Sequence, residues 1–280
     1  MINCTKAIIP VAGFGTRRLP ITKAIEKCML PIGNRPVIDY VVEDCLKAGV
    51  TDIFFVVGEQ NDQIHRYYGK NDLLERYLTS RGKTRELELI DTLATEATFH
   101  YITQTIDMPY GTAVPLGLCK DVIKPGEQVL VMMGDDFIFD PDGGSSAQWL
   151  LEAVKASGAQ SGMLGVKIAQ EDVVRYGVLA VHTENGHQFF DQIVEKPSPQ
   201  AAPSNLINVS KYLFDASMFD FVQQVLQADA PAGNEFQVTD ALNLYVGAGK
   251  PLAVVEAKGE YLDGGTLDGW LYANQRMCKS

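Results

Sequence analysis

The apolar run Ala7-Ile8-Ile9-Pro10-Val11 breaks off into Ala12-Gly13-Phe14-Gly15, and much of the chain repeats that step from apolar run to turn. A short run that is apolar at every position reads as a strand buried on both faces. Further strands are read at residues 52–58, 99–104, 128–133 and 162–168. Between them apolar residues fall at helical spacing. Residues 36–46 form one such segment, with Pro36 in a first turn that tolerates proline and Gly49 beyond the end. Residues 60–80 predict two helical pieces around Gly69-Lys70-Asn71-Asp72. A short helix is expected between Gly111 and Val122, with Pro115 in its first turn, and another over 146–156. Strand and helix in alternation, with short joins, predict an α/β fold. It is Rossmann-like, a mostly parallel mixed sheet with helices on both faces.

The second half changes character. Residues 176–181 and 188–197 read as short strands around Asn185-Gly186, a hairpin signal. Proline and alanine over 197–203 mark a loop, and 208–214 returns as a strand. Ser217 is placed to cap a helix running to about Leu226. A late strand covers 252–255 and a terminal helix 267–278. No repeat or clear linker interrupts the chain, so one domain with a smaller appended sheet-and-loop portion is expected.

In parallel sheets ligands bind beyond the carboxyl ends of the strands. The glycine loop, Gln104 and Asp135-Asp136 all follow strand ends, which places three polar features along one rim. Charge singles out the first. The chain carries a net charge of −11, yet residues 1–36 hold six basic side chains (Lys6, Arg17, Arg18, Lys23, Lys27, Arg35) against one acid, Glu26. Bare main chain at Gly13 and Gly15, with arginine behind it, suits an anion rich in oxygens. The acidic total argues against nucleic acid as a partner. No apolar run is long enough to span a bilayer. The cysteines Cys4, Cys28, Cys45, Cys119 and Cys278 form no C-x-x-C pair, and no signal peptide precedes the first strand. Reduced thiols in a cytoplasm are the simplest reading. The four histidines lack any zinc-binding spacing.

Taken residue by residue, alternatives stay open. The glycine loop is no P-loop, since Gly-Lys-Ser/Thr is missing, and Arg18 stands where a dinucleotide fingerprint needs its third glycine. It reads either as a phosphate cradle or as a tight turn with solvated arginines. Asp135-Asp136 suits a metal or a turn cap, and Asp263-Gly264-Gly265 a metal or a plain turn. Glu195-Lys196 is a ligand contact or a surface pair before Pro197. Gln104 is a base-edge amide or an ordinary strand-end side chain. Arg18, Lys23 and Arg35 read as surface or outlying charges, Tyr67-Tyr68 and Phe189-Phe190 as packing, and Cys28 as an inert thiol.

Gly13-x-Gly15-Thr16-Arg17-x-Leu19-Pro20 followed by Lys27-x-Met29-Leu30-Pro31 resembles the signature of the sugar-1-phosphate nucleotidyltransferases, most nearly the bacterial UTP–glucose-1-phosphate uridylyltransferases. The resemblance continues through Gln104, Gly111-x-Ala113, Gly134-Asp135-Asp136, Tyr176-Gly177-Val178, Val194-Glu195-Lys196-Pro197, residues 235–240 and Asp263-x-Gly265. It implies the nucleotide-diphospho-sugar transferase fold. Residues 1–170 would mainly bind nucleotide, 171–265 mainly the sugar phosphate, and 266–280 would form the C-terminal helix. It implies transfer of uridylyl from UTP to glucose-1-phosphate, giving UDP-glucose and pyrophosphate. Ala12, Gly13, Gly15 and Thr16 would hold the triphosphate. Arg17 would meet its β- and γ-phosphates, and Lys27 the α-phosphate and sugar phosphate. Gln104 and Gly111 would face uracil. Asp135 and Asp263 would share Mg²⁺. Gly177 and Glu195 would hold glucose hydroxyls, and Lys196 the sugar phosphate. A homodimer or homotetramer, built on the C-terminal helix, is implied too. The chain departs from the pattern at Glu26 (usually proline), Cys28 (glutamate), Thr112 (histidine), Ser210 (glycine) and Gly264 (cysteine). These leave open the same chemistry on dTTP, CTP or another sugar phosphate, and a non-catalytic paralogue is the alternative of a different class.

Overall fold

A computed structural model of the chain describes residues 4–90, 96–229 and 235–278. The last two residues of the expected 266–280 segment lie outside them. The first strand, β1 (Lys6–Pro10), lies between β4 (Asp52–Gly58) and β6 (Gln128–Met132), parallel to both, and β5 (Thr98–Gln104) extends the same edge in parallel. The sheet order is β5-β4-β1-β6-β11-β8-β12-β10-β9. The further strands are β8 (Ser161–Lys167), β9 (Gly177–Glu184), β10 (His187–Glu195), β11 (Leu206–Asp215) and β12 (Leu252–Glu256). Only β10 and β11 run against the rest. The α/β reading with a mostly parallel mixed sheet is therefore what the chain forms. The β9–β10 hairpin turns at Asn185 and Gly186, both at positive φ as such a turn requires. It continues the main sheet, where β9 also pairs with β11.

Alternation along the strands sends side chains to two cores. Ala7 and Ile9 face α1 (Val37–Lys47) and α6 (Ser146–Ser157), whereas Ile8 faces α5 (Val114–Leu118), α7 (Met218–Gln227) and α8 (Val238–Gly247). The polar segment 60–80 becomes α2 (Gln63–Tyr68) and α3 (Asp72–Ser80), and α4 (Thr84–Ile90) follows. Two details differ from the sequence reading. Pro36 precedes α1 as its cap in extended conformation rather than occupying the first turn. Ser217 does not cap α7; its hydroxyl donates to Asp215, whose Oδ1 accepts the Met218 N–H at 3.2 Å. Aspartate, an ionised acceptor two residues upstream, takes the cap from serine.

Two small sheets escape local pattern and shape the site. Strand β2 (Pro31–Ile32) pairs with β3 (Arg35–Pro36), directly after Lys27. The terminal helix α9 (Leu267–Met277) clamps that hairpin. Its Trp270 Nε1–H donates to Pro31 O at 2.7 Å, and Asn274 Oδ1 accepts the Gly33 N–H at 3.0 Å. Strand β7 (Asp136–Phe139) pairs antiparallel with β13 (Glu260–Asp263), in a register that sets Asp136 beside Asp263.

Candidate active site

Beyond the carboxyl ends of β1, β4, β5 and β6 lie two adjoining clefts, of about 450 and 570 Å³. The first is lined by the glycine loop, Arg17, Lys27, Gly134 and Asp135. The second is lined by Ala12, Gly13, the loop Gly58-Glu59-Gln60-Asn61, Gln104, Thr112 and the loop Ile106 to Tyr110. Gly13, Phe14, Lys27 and Tyr110 border both. The rim inferred from three strand ends is thus a continuous groove.

The loop's main chain is open for binding. Among the described residues, the N–H groups of Gly13, Phe14, Gly15 and Thr16 donate to no protein acceptor. Gly15 sits at φ +62°, and a Cβ there would lie 3.0 Å from Thr22 Cγ2 and 3.1 Å from Lys27 Cβ. Only glycine takes this turn so close to Lys27. Thr22 pins it by donating its hydroxyl to Gly15 O at 2.9 Å. Arg17 is exposed on the first cleft and has no carboxylate partner among the described residues. Arg18 corrects the surface reading: it is only 6% exposed, its guanidinium carbon 5.0 Å from the Trp270 ring centroid. The aromatic face partly replaces water around the buried cation.

At the floor of the first cleft, Lys27 Nζ pairs with Asp135 Oδ2. The register of β7 and β13 brings Asp263 there as well. A single point, where a Cβ on Gly265 would stand, lies 2.8 Å from Asp263 Oδ1 and 2.9 Å from both Asp135 Oδ2 and Lys27 Nζ. Two carboxylates and an ammonium therefore converge, and Gly265 leaves their meeting point free. Asp263 is held by the Gly265 N–H at 2.7 Å and the Thr266 hydroxyl at 3.2 Å. Asp136 plays a different part. It is buried, its Oδ1 accepting from Lys211 Nζ at 2.6 Å and its Oδ2 from the Tyr261 hydroxyl at 3.0 Å. Burial pushes its carboxyl up to about 6 against the pull of Lys211. Cys28 is buried, and burial raises its thiol well above the ordinary range, as an inert thiol requires.

Gln104 ends β5 with its amide making no hydrogen bond among the described residues, beside the second cleft. Gly111, at φ +129°, lies against Phe236, where any Cβ would strike main chain. Thr112 donates its hydroxyl to Gln237 Oε1 and accepts the Val238 N–H, both at 2.9 Å. Gly177 and Glu195 are direct partners across β9 and β10, and Lys196 follows at φ +45° with its N–H on Tyr176 O. Glu195 and Lys196 are exposed, and none of the three lines the two clefts. The sequence did not single out Tyr110 or Asn61, which line the groove, and it marked Glu235 only within the block 235–240, with no role. The signal was the strand-end rule, since Asn61 and Tyr110 lie on the loops that leave β4 and β5.

A doubly covered, mostly parallel sheet with an open-donor loop, an exposed arginine and convergent aspartates at its strand ends defines a protein that handles nucleotide phosphates. The chain belongs to the nucleotidyl transferase family, whose model matches residues 6–280. It is 35% identical over 239 residues to the UTP–glucose-1-phosphate uridylyltransferase YngB of Bacillus subtilis (strain 168), covering 85% of this chain and 77% of that protein. It is 37% identical over 243 residues to the UTP–glucose-1-phosphate uridylyltransferase of Streptococcus pneumoniae serotype 4, covering 85% and 78%. Among solved structures, it matches UTP-bound UGPase from Acinetobacter baumannii with a TM-score of 0.87 at 27% identity, over 99% of this chain and 93% of that one. A UDP-glucose pyrophosphorylase complexed with UDP-glucose matches with a TM-score of 0.83 at 28% identity, over 100% and 99%. The protein is an enzyme of the nucleotidyltransferase class, and such enzymes work with a divalent metal ion. No helix among the described residues is long and apolar enough to cross a membrane.

Proposed function

We propose that the protein transfers the uridylyl group of UTP to glucose-1-phosphate. An oxygen of the sugar phosphate attacks the α-phosphorus in line, a new P–O bond forms, and the bond from that phosphorus to the bridging oxygen breaks. Pyrophosphate departs with that oxygen, leaving UDP-glucose. The observation that carries this reading is the first cleft: unpaired N–H groups on one wall, Arg17 beside them, and Lys27, Asp135 and Asp263 at the floor. Two polyanions repel, so the protein's task is alignment and charge neutralisation.

Each residue then takes a part. The N–H groups of residues 12–16 hold the triphosphate, and Arg17 neutralises charge that grows on the departing pyrophosphate. Lys27 leaves Asp135 to meet the α-phosphate and the incoming sugar phosphate. Gln104 reads a base edge, donating and accepting at once, and the main chain at Gly111 faces the base. Gly177 and Glu195 hold sugar hydroxyls, and Lys196 the sugar phosphate. Asp135 and Asp263, two hard oxygen donors with a cleared space between them, fit Mg²⁺. When bound there it supplies charge neutralisation at the phosphates. The four buried free thiols support a reducing, cytoplasmic setting, and we propose a homodimer or homotetramer.

The test is pyrophosphate release from a panel of UTP, dTTP and CTP with several sugar-1-phosphates, with and without Mg²⁺. UTP with glucose-1-phosphate and Mg²⁺ is expected to turn over fastest. Preference for another pair would revise the substrate, and no turnover with UDP-glucose still bound would favour the non-catalytic reading.

A further inference from the structure

We propose that Glu26 and Gln63 form a clasp that positions Lys27, an inference that rests on Lys27 acting at the phosphates. Glu26 directly precedes Lys27 and caps the short helical turn Lys27–Met29. Its main chain is held on both sides: the N–H donates to Gln63 Oε1 at 3.0 Å, and the carbonyl accepts the Met29 N–H at 2.8 Å. Its side chain closes the loop in the other direction, Oε1 accepting the Gln63 N–H at 2.8 Å. Gln63 Nε2 adds a bond to Ala24 O at 2.7 Å. Reciprocal bonds between two residues lock both backbones together, as a capping box does at a helix start.

The partner is as informative as the bonds. Gln63 is the first residue of α2, whose cap residue Asp62 makes no side-chain cap bond. Glu26 provides the acceptor that α2 otherwise lacks, so the two segments depend on one another. The loop 58–61 before α2 lines the second cleft, and Glu59 Oε2 accepts the Ile106 N–H at 3.0 Å from the cleft's other wall. The clasp therefore ties the base of Lys27 to the framework of the neighbouring cleft. Proline, the residue the resemblance leads one to expect at position 26, has neither an N–H nor a carboxylate and forms neither half. Glu26 and Gln63 line neither cleft, so they act through Lys27 as positioning residues. A long flexible ammonium side chain delivers its charge to a fixed point only from a fixed Cα, and a shift of about 1 Å at reacting groups costs up to roughly 10²-fold in rate.

The experiment measures kcat and KM for UTP and glucose-1-phosphate in the full chain, by pyrophosphate release, together with thermal melting. Glu26→Ala and Gln63→Ala are expected to lower kcat roughly 10-fold or more, with smaller changes in KM. Glu26→Gln keeps the acceptor at Oε1 and alters only Oε2, which has no partner among the described residues. It is expected to recover most of the loss. In a Lys27→Ala background, adding Glu26→Ala is expected to cost nothing further, because the clasp works through the missing side chain. Wild-type kcat in Glu26→Ala and Gln63→Ala, alongside a severely slowed Lys27→Ala, would overturn the clasp. So would a full additional loss in the double variant. Near-normal turnover of Lys27→Ala would instead overturn the role of Lys27. Should Gln63→Ala fail to fold, the Glu26→Ala and Glu26→Gln pair still decides.

Discussion

Two charged regions lie side by side and are built in opposite ways. Around Asp136 the charges are buried and saturated: Lys211 is 1% exposed, and donates both to the Asp136 main-chain carbonyl at 3.0 Å and to its carboxylate at 2.6 Å. Around the glycine loop they are open: Arg17 has no acidic partner, and four successive N–H groups have no acceptor among the described residues. Burying a charge is tolerable when its partner is buried with it. Leaving donors open beside a cleft is costless in water and useful only to a ligand. The first region is framework, and the second is the working surface that the framework holds.

Breaking the framework should damage stability first. Lys211→Met leaves the Asp136 carboxylate buried with only the Tyr261 hydroxyl as a donor among the described residues. We expect a loss of about 3–5 kcal/mol, read by urea unfolding. Breaking the working surface should do the reverse. Arg17→Ala is expected to slow turnover by about 10²-fold or more with an unchanged melting temperature, since the side chain is exposed. Gly15→Ala tests the boundary between the two regions. The left-handed backbone and the contact with Lys27 Cβ predict a cost of about 1–3 kcal/mol, accompanied by lost activity. The smallest effect belongs to an ion pair far from the site. The Lys6 ammonium, 2.6 Å from Glu127, holds that carboxyl below its usual 4.5. The folded value is depressed, so the stabilisation is present above about pH 4.5 and is lost as pH falls through the folded value. Glu127→Gln should flatten stability against pH in that range by about 0.5–1 kcal/mol, with turnover at neutral pH unchanged.

The parts of this picture that were legible in the sequence are those written locally. The strands β1, β4, β6 and β8 announce themselves as largely apolar runs, β5 as an aromatic and β-branched segment, and Asn185-Gly186 announces its turn, because each signal lies within a few consecutive residues. The cation-rich glycine loop and its place at a strand end were legible for the same reason. The meeting of Asp135 with Asp263 was not. It depends on the pairing of β7 with β13, strands of four residues each, separated by most of the second half of the chain. Only the family resemblance joined them beforehand. Likewise nothing near Arg18 foretells burial, because its cover, Trp270, arrives with the terminal helix. Helix α8 carries helical spacing at Val238, Ala241, Leu242 and Tyr245, a signal that the sequence reading passed over. Gly177 and Glu195 are brought together by the β9–β10 register and Lys196 follows directly, away from the two clefts.

The most direct test of the open cradle is a crystal structure of the protein with UTP and Mg²⁺. The triphosphate oxygens are expected within hydrogen-bond distance of the Gly13 to Thr16 N–H groups, with Arg17 against the terminal phosphates. A triphosphate bound elsewhere, with that loop left empty, would contradict the account.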